Sequence, residues 1–224
     1  MRRRGLKVRP PSPLRPVDRR TMPDKETRIR RCYDGIKAEI LSGRFRPGER
    51  LESHLFEATY NVSSTTVRMA LSELAGQRLV EALTLDGFHM PLITEGWLYD
   101  MYISHRGLMR TCLEVAVDKP PRPDRPVRAD DDVVLGTDTL FNDIANATDN
   151  FELVALVSNA NERLRPVRLF KSPVIQARSL ELSGLAACWA SNDIPALINQ
   201  LDLYYQVRLD HLRDIVVHAT RVRK

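Results

Sequence analysis

The spacing of turn residues between Ile40 and Leu92 leaves few folds open to this chain. Ahead of it, Ile29, Tyr33, Ile36, Ile40 and Leu41 recur at helical spacing from about Asp24 to Leu41. Ser42-Gly43 supplies a helix stop, and Pro47-Gly48 a turn. Ser53 suits the cap of a short helix reaching Tyr60, and Asn61 suits a left-handed turn position. Ser63 is predicted to cap a longer helix that runs to Ala75 and stops at Gly76. On it Val67, Ala70, Leu71 and Leu74 form one inward stripe, which leaves Ser64, Thr65, Arg68 and Met69 facing out. Leu79–Leu83 and Phe88–Pro91 read as two short strands around Asp86-Gly87. Helix, turn, short helix, turn, longer helix and hairpin, in that order, predict a winged helix-turn-helix. Such a fold presents one helix to the major groove of double-stranded DNA.

Beyond Thr94 the pattern is helical throughout, with helices expected at 95–117, 133–147, 150–168, 172–190 and 193–217. Asp149-Asn150 separates the second from the third, and Asn192-Asp193 with Pro195 opens the last. The prolines and charges of KPPRPDRPVRADDD, 119–132, predict a loop. The expected fold class is mainly α: a winged helix-turn-helix with a small β-hairpin wing, then an all-α antiparallel helical bundle. Three regions follow: a basic arm without regular structure at 1–22, a DNA-binding domain at 23–93 and an all-helical effector-binding and dimerisation domain at 94–224.

Charge is spread unevenly. Residues 1–22 carry eight basic side chains and one acidic, whereas 23–91 are balanced at ten and ten. The basic character therefore belongs to the arm, and the motif rather than the net charge of +5 has to carry any claim about nucleic acid. The arginines of the arm suit sequence-independent phosphate contact; a true start at Met22 would remove it, and the sequence leaves both readings open. Cys32, Cys112 and Cys188 lie far apart without a CxxC or Cys/His cluster, which predicts free thiols in a reducing cytosol and no zinc. No apolar run approaches the roughly 20 residues needed to cross a bilayer, and no secretory signal is expected. No nucleophile–base pair or glycine-rich phosphate loop suggests an enzyme. Asp130-Asp131-Asp132 reads as solvated charge rather than a Mg²⁺ site.

Residues 28–92 resemble the GntR family of bacterial transcription regulators. The matching pieces are Ile40-Leu-Ser-Gly43, Pro47-Gly-Glu-Arg-Leu51, Val62-Ser63, Val67-Arg68-x-Ala70-Leu71, Leu79-Val80-Glu81 and Gly87-Phe88. The resemblance implies DNA contact by Ser63, Ser64, Thr65 and Thr66 at the helix N-terminus and by Arg68 one turn further in. Arg50 and His54 would add contacts, and Gly87 would lie in the wing tip against the adjacent groove or backbone. Three positions depart from the family: Ser64 replaces an arginine, Thr66 a proline and Met69 a glutamate. One expected charged contact is therefore missing, which implies weaker affinity or an altered operator.

The helical remainder is similar to the effector domain of the FadR-type (FCD) subfamily, in which many members bind a divalent metal through one Asp and three His. Here Asp138 is kept, but Asn142, Leu182 and Tyr204 stand at the histidine positions. One aspartate with an amide, an aliphatic group and a phenol cannot hold the ion tightly, so no metal or other cofactor is expected. His211 and His218, two turns apart, are expected at the surface. Arg106 matches the arginine that opens the domain's first helix in relatives and is the candidate anchor for a carboxylate. Asn142, Tyr204 and Asp138 are the further candidate effector-binding residues. The resemblance implies a cytoplasmic homodimer on a palindromic operator, more often a repressor, whose partner in the helical domain is a small-molecule effector such as an organic acid. The competing readings are an effector-independent DNA binder and a protein-interaction module with a vestigial DNA head.

Overall fold

The computed structural model describes residues 24–116, 132–169, 175 and 177–220. The arm at 1–22 and nearly all of the proline-rich loop lie outside the described residues. Two hydrophobic cores divide the chain, one built from residues 32–90 and one from 93–219.

The first core belongs to a small head. α1 (Asp24–Leu41) turns Cys32, Tyr33, Ile36 and Ile40 inward, while Ile29 and Leu41 stay only partly covered. α2 (Ser53–Tyr60) and α3 (Ser64–Gly76) pack against it, and Phe45 and Phe56 meet edge to face with centroids 5.8 Å apart. Val67, Ala70, Leu71 and Leu74 are all buried, so the inward stripe of α3 stands as read. Gly35 lets α2 close on α1, because a Cβ there would lie 2.3 Å from the Tyr60 ring. The Tyr60 hydroxyl donates to Glu39 across that contact at 2.7 Å.

Three boundaries differ from the expectation. Ser53 does not cap α2: Glu52 occupies that position without a side-chain bond. The backbone is already held extended there, since Leu51 N–H donates to the Phe88 carbonyl at 2.8 Å. Gly76 does not stop α3 but lies inside it, and Arg78 takes the left-handed position at φ 58. Arg78 N–H bonds the Ala75 carbonyl and Leu79 N–H the Leu74 carbonyl, a Schellman closure with both leucines buried. The burial of Leu79 is what fixes this register and overrides the glycine. The wing strands are shorter than expected, β1 (Glu81–Leu83) pairing antiparallel with β2 (Gly87–His89) in the register Leu83↔Gly87. Leu79 and Val80 are drawn into the core instead of the sheet. Arg50 bridges His89, so the Pro-Gly-Glu-Arg-Leu turn serves as a third edge of the wing.

The second core lies within a helical bundle: α4 (Glu95–Ala116), α5 (Val133–Asn146), α6 (Phe151–Leu169), α7 (Arg178–Ala190), α8 (Ile194–Asp210) and α9 (Leu212–Thr220). Asp132 closes the proline-rich loop by capping α5, its carboxylate accepting from Val134 and Leu135 N–H. Asp193 caps α8 with Pro195 in the first turn, and Asn192 takes φ 57 before it. The seventh helix begins at Arg178 rather than 172, and residues 172–174 lie outside those described. The expected single last helix is two, parted at His211 (φ −118, ψ 23). The break lets Ile215 and Ala219 fold back onto the core.

Head and bundle touch. Lys37 on α1 pairs with Glu162 on α6 at 2.7 Å, and Asn159 donates to the Gln77 carbonyl at 2.9 Å. No helix among the described residues is long and apolar enough to cross a membrane.

Candidate nucleic-acid interface and bundle cavity

Ser63 sits at the N-cap of α3, extended at φ −73 and ψ 156, where its hydroxyl accepts from Thr66 N–H at 3.3 Å. The Ser63 and Thr66 hydroxyls also lie 3.0 Å from one another. The fold thus divides the four hydroxyls: Ser63 and Thr66 close the helix end, while Ser64 and Thr65 stand exposed beside it. Arg68 and Met69 are exposed on the next turn, and among the described residues Arg68 enters no ion pair. Free donors at a helix N-terminus, with a guanidinium one turn in, can bond phosphate oxygens and a base edge together.

Arg50 and His54 are placed differently. Arg50 belongs to the wing, with Asp86 at 3.5 Å and Glu52 at 3.4 Å. His54 is exposed on α2 with its ring 3.9 Å from Glu52. Either side chain would exchange an internal carboxylate for phosphate on binding DNA, so neither is as ready as Arg68. Gly87 takes φ 85, and a Cβ built on it meets nothing within 4 Å, so that spot is open to another backbone. The outermost wing residue is Leu85, 103% exposed at φ 71, which the sequence reading passed over in favour of Asp86-Gly87.

In the bundle, a narrow cavity is lined by residues of α4 through α9, Tyr204 and Leu182 among them. Its walls are mostly apolar, but three guanidiniums enter it: Arg168, Arg178 and Arg208. Arg208 is bound by Glu181 at 2.9 and 3.3 Å, donates to the Tyr204 carbonyl at 2.7 Å, and lies 3.3 Å above the Tyr204 ring. Arg168 is bound by Asp138, stacks over Phe141 and donates to Asn161 at 3.1 Å. Asn161 in turn donates to Asn142 at 2.9 Å. Arg165 reaches the second Asp138 oxygen at 3.2 Å. Burial pushes the Asp138 carboxyl above its ordinary value, while Arg168 and Arg165 pull it down. Arg178 donates to the Arg168 carbonyl at 2.6 Å and enters no ion pair among the described residues; burial lowers its pKa.

These contacts sort the expected effector residues. Tyr204 lines the cavity, whereas Asp138 and Asn142 lie behind it and hold Arg168 in place. Arg106 stands outside it, paired with Asp202 at 2.9 Å on the α4–α8 face. A divalent metal does not fit: the Asp138 carboxylate already holds two guanidiniums, and Leu182 offers no lone pair. Among the described residues no three His, Cys, Asp or Glu converge on one point. His211 lies 3.7 Å from Asp214 and His218 is exposed, bonding the Asp214 carbonyl.

The sequence reading missed His105, which is fully buried and 2.6 Å from the Tyr205 hydroxyl. Burial first, and the Arg168 charge second, depress its pKa to about 3 and keep it neutral. The missed groups share a signal. His105 falls on the α4 stripe Leu98, Met101, Tyr102, Met109, Cys112, and Arg208 on the α8 stripe Leu197, Leu201, Tyr204, Tyr205. A charged or titratable residue in register with an apolar stripe is a buried one.

Hairpin, capped helix and the exposed Arg68 beside the cap define the N-terminal part as a helix-turn-helix head of the DNA-binding kind. The model of the bacterial regulatory proteins of the gntR family matches residues 28–90. Residues 28–90 therefore carry the DNA-binding domain of that family of regulators. It is 27% identical over 85 residues to the HTH-type transcriptional repressor GlaR of Escherichia coli (strain K12), a match covering 38% of this chain and 39% of GlaR. It is also 27% identical over 188 residues to the HTH-type transcriptional regulator BphR of Paraburkholderia xenovorans (strain LB400), covering 83% of this chain and 69% of BphR. Among solved structures, a GntR transcriptional regulator from Rhodococcus sp. RHA1 superposes with a TM-score of 0.68 at 19% identity, over 83% of this chain and 97% of that one. E. coli McbR/YncC gives 0.64 at 15%, over 83% and 96%. At these identities the two structures speak for the fold alone.

Proposed function

We propose that the chain is a cytoplasmic, homodimeric transcriptional repressor that reads a palindromic operator through α3 and the wing and is released by a small organic acid held in the bundle. Residues 23–93 form the DNA-binding domain and 94–224 the domain for effector and dimerisation. The observation that carries the DNA half is the outward face of α3, where Ser64, Thr65 and Arg68, which enters no ion pair among the described residues, flank a capped helix end. Ser63 and Thr66 order that end, and Arg50, His54 and Gly87 supply the flanking contacts. GlaR, which carries the name of a repressor, favours that sign of regulation.

The effector half rests on the charge of the cavity. Three guanidiniums line it, and the carboxylates that hold them, Asp138 and Glu181, serve Arg168 and Arg208, leaving Arg178 without one among the described residues. A cation desolvated in this way favours an anionic ligand. Tyr204 would pack against the ligand, with Asp138 and Asn142 orienting Arg168. Arg106, paired on the outer face, has no direct part.

Fluorescence anisotropy on the DNA flanking the chain's own gene, in moderate salt with competitor DNA, tests the first half. Arg68→Ala should weaken specific binding by about 1–3 kcal/mol. Weak binding indifferent to sequence and to Arg68 would instead indicate a vestigial head. For the second half, thermal shifts against a panel of organic acids should include at least one stabilising ligand whose effect Arg178→Ala abolishes; a flat response across the panel would indicate an effector-independent DNA binder.

A further inference from the structure

A second cleft opens where head and bundle meet. Its head wall is Ile40, Phe45, Pro47, Arg78, Leu79 and Met90, and its bundle wall brings Ile93, Trp97, Glu162, Arg163 and Pro166. The floor is apolar, yet two guanidiniums border it. The Arg163 guanidinium lies 6.0 Å from the centre of the Trp97 ring, and its Nε is buried without a hydrogen-bond partner. Glu162, the carboxylate at the rim, is already paired with Lys37 at 2.7 Å. Neither Arg78 nor Arg163 enters an ion pair among the described residues. The cleft thus pairs an apolar surface with excess positive charge, and a buried donor left unmatched costs free energy that a ligand would recover.

We propose that this cleft is a second ligand site, separate from the bundle cavity, for a small amphipathic monoanion: an apolar ring or branched chain ending in one carboxylate. The apolar part lies on Trp97, Met90 and Ile93, and the carboxylate lies between Arg78 and Arg163. Because one arginine belongs to the head and the other to the bundle, the ligand binds the closed placement of the two more tightly than any separated one. It therefore fixes the angle between them.

The full chain carries two tryptophans, so Trp189→Phe leaves Trp97 as the sole emitter beside the cleft. In that background, sodium benzoate should change Trp97 emission saturably, and benzyl alcohol, its uncharged counterpart, should not. Arg163→Gln should weaken benzoate binding at least tenfold. Arg78→Gly should do the same while raising the melting temperature, since glycine adopts φ 58 without strain. That variant separates lost binding from lost folding. The emission change should survive Arg178→Gln, which alters only the bundle cavity. A response that persists in both cleft variants, that disappears with Arg178→Gln, or that never saturates would overturn the second site.

Discussion

The head and the bundle use the same residue, arginine, in opposite ways. On α3 Arg68 is exposed and unpaired among the described residues, with the cost of stripping its water deferred until a partner arrives. In the bundle Arg168 and Arg208 are buried, and each is answered by a carboxylate, a backbone carbonyl and an aromatic face. An exposed charge is cheap to keep and informative to an outside partner. A buried one is costly to strand and so fixes the geometry around it. Both parts rest on apolar cores, to which the bundle adds buried ion pairs and the head the cap of α3.

The sharpest way to break the contrast is Arg168→Met. It strands Asp138 beside a single, partly exposed Arg165, and should cost about 3–5 kcal/mol in urea unfolding. Arg168→Met with Asp138→Asn should recover much of that loss; a double variant as weak as the single one would mean that the pair is not the cause. Arg68→Ala, by contrast, should alter unfolding by no more than about 0.5 kcal/mol.

His105 gives the bundle a dependence on pH. Its pKa in the folded chain, about 3, lies below the ordinary 6.5, so below pH 6.5 the unfolded chain binds the proton and the folded one does not. Its contribution is complete above pH 6.5 and declines toward pH 3 with a slope of about 1.4 kcal/mol per pH unit. Between about pH 6.5 and 5, above the usual carboxylate range, His105→Gln should flatten the curve of stability against pH. An unchanged slope would assign the acid sensitivity elsewhere.

A smaller loss than at Arg168 is expected at the α3 cap in the head. Ser63→Ala removes the α3 cap and should cost about 1 kcal/mol of stability. It should also weaken DNA binding, because the exposed end of the helix is what the cap orders. Lost stability with unaltered DNA affinity would separate the cap from the contact surface.

The head was largely legible because its information is local. A cap, a stripe at helical spacing and a left-handed asparagine each declare themselves within a few residues, and Asn61 takes φ 51 as its type suggests. What failed there was decided at longer range: Leu79 is pulled into the core and moves the α3 stop to Arg78. The bundle cavity was less legible because its groups are partnered across helices. Nothing near Asp138 in sequence announces Arg168, thirty residues on. Arg106 was singled out by resemblance, and only the fold reveals that Asp202 faces it. Arg208 and His105 were visible in principle, each breaking the polarity of an apolar stripe.

Gln77 carries one last consequence. Its side chain bonds the Tyr33 hydroxyl, at 2.7 and 3.0 Å, and Lys37 at 3.4 Å, while its carbonyl accepts from Asn159 on α6. α3 is thereby pinned at its C-terminal end to α1 and to the bundle, while Ser64 and Thr65 stand exposed at its other end. Over 13 residues at about 1.5 Å each it works as a lever roughly 20 Å long. A tilt of about 5° at the pin would carry Ser64 and Thr65 roughly 2 Å sideways, far enough to break a hydrogen bond to phosphate.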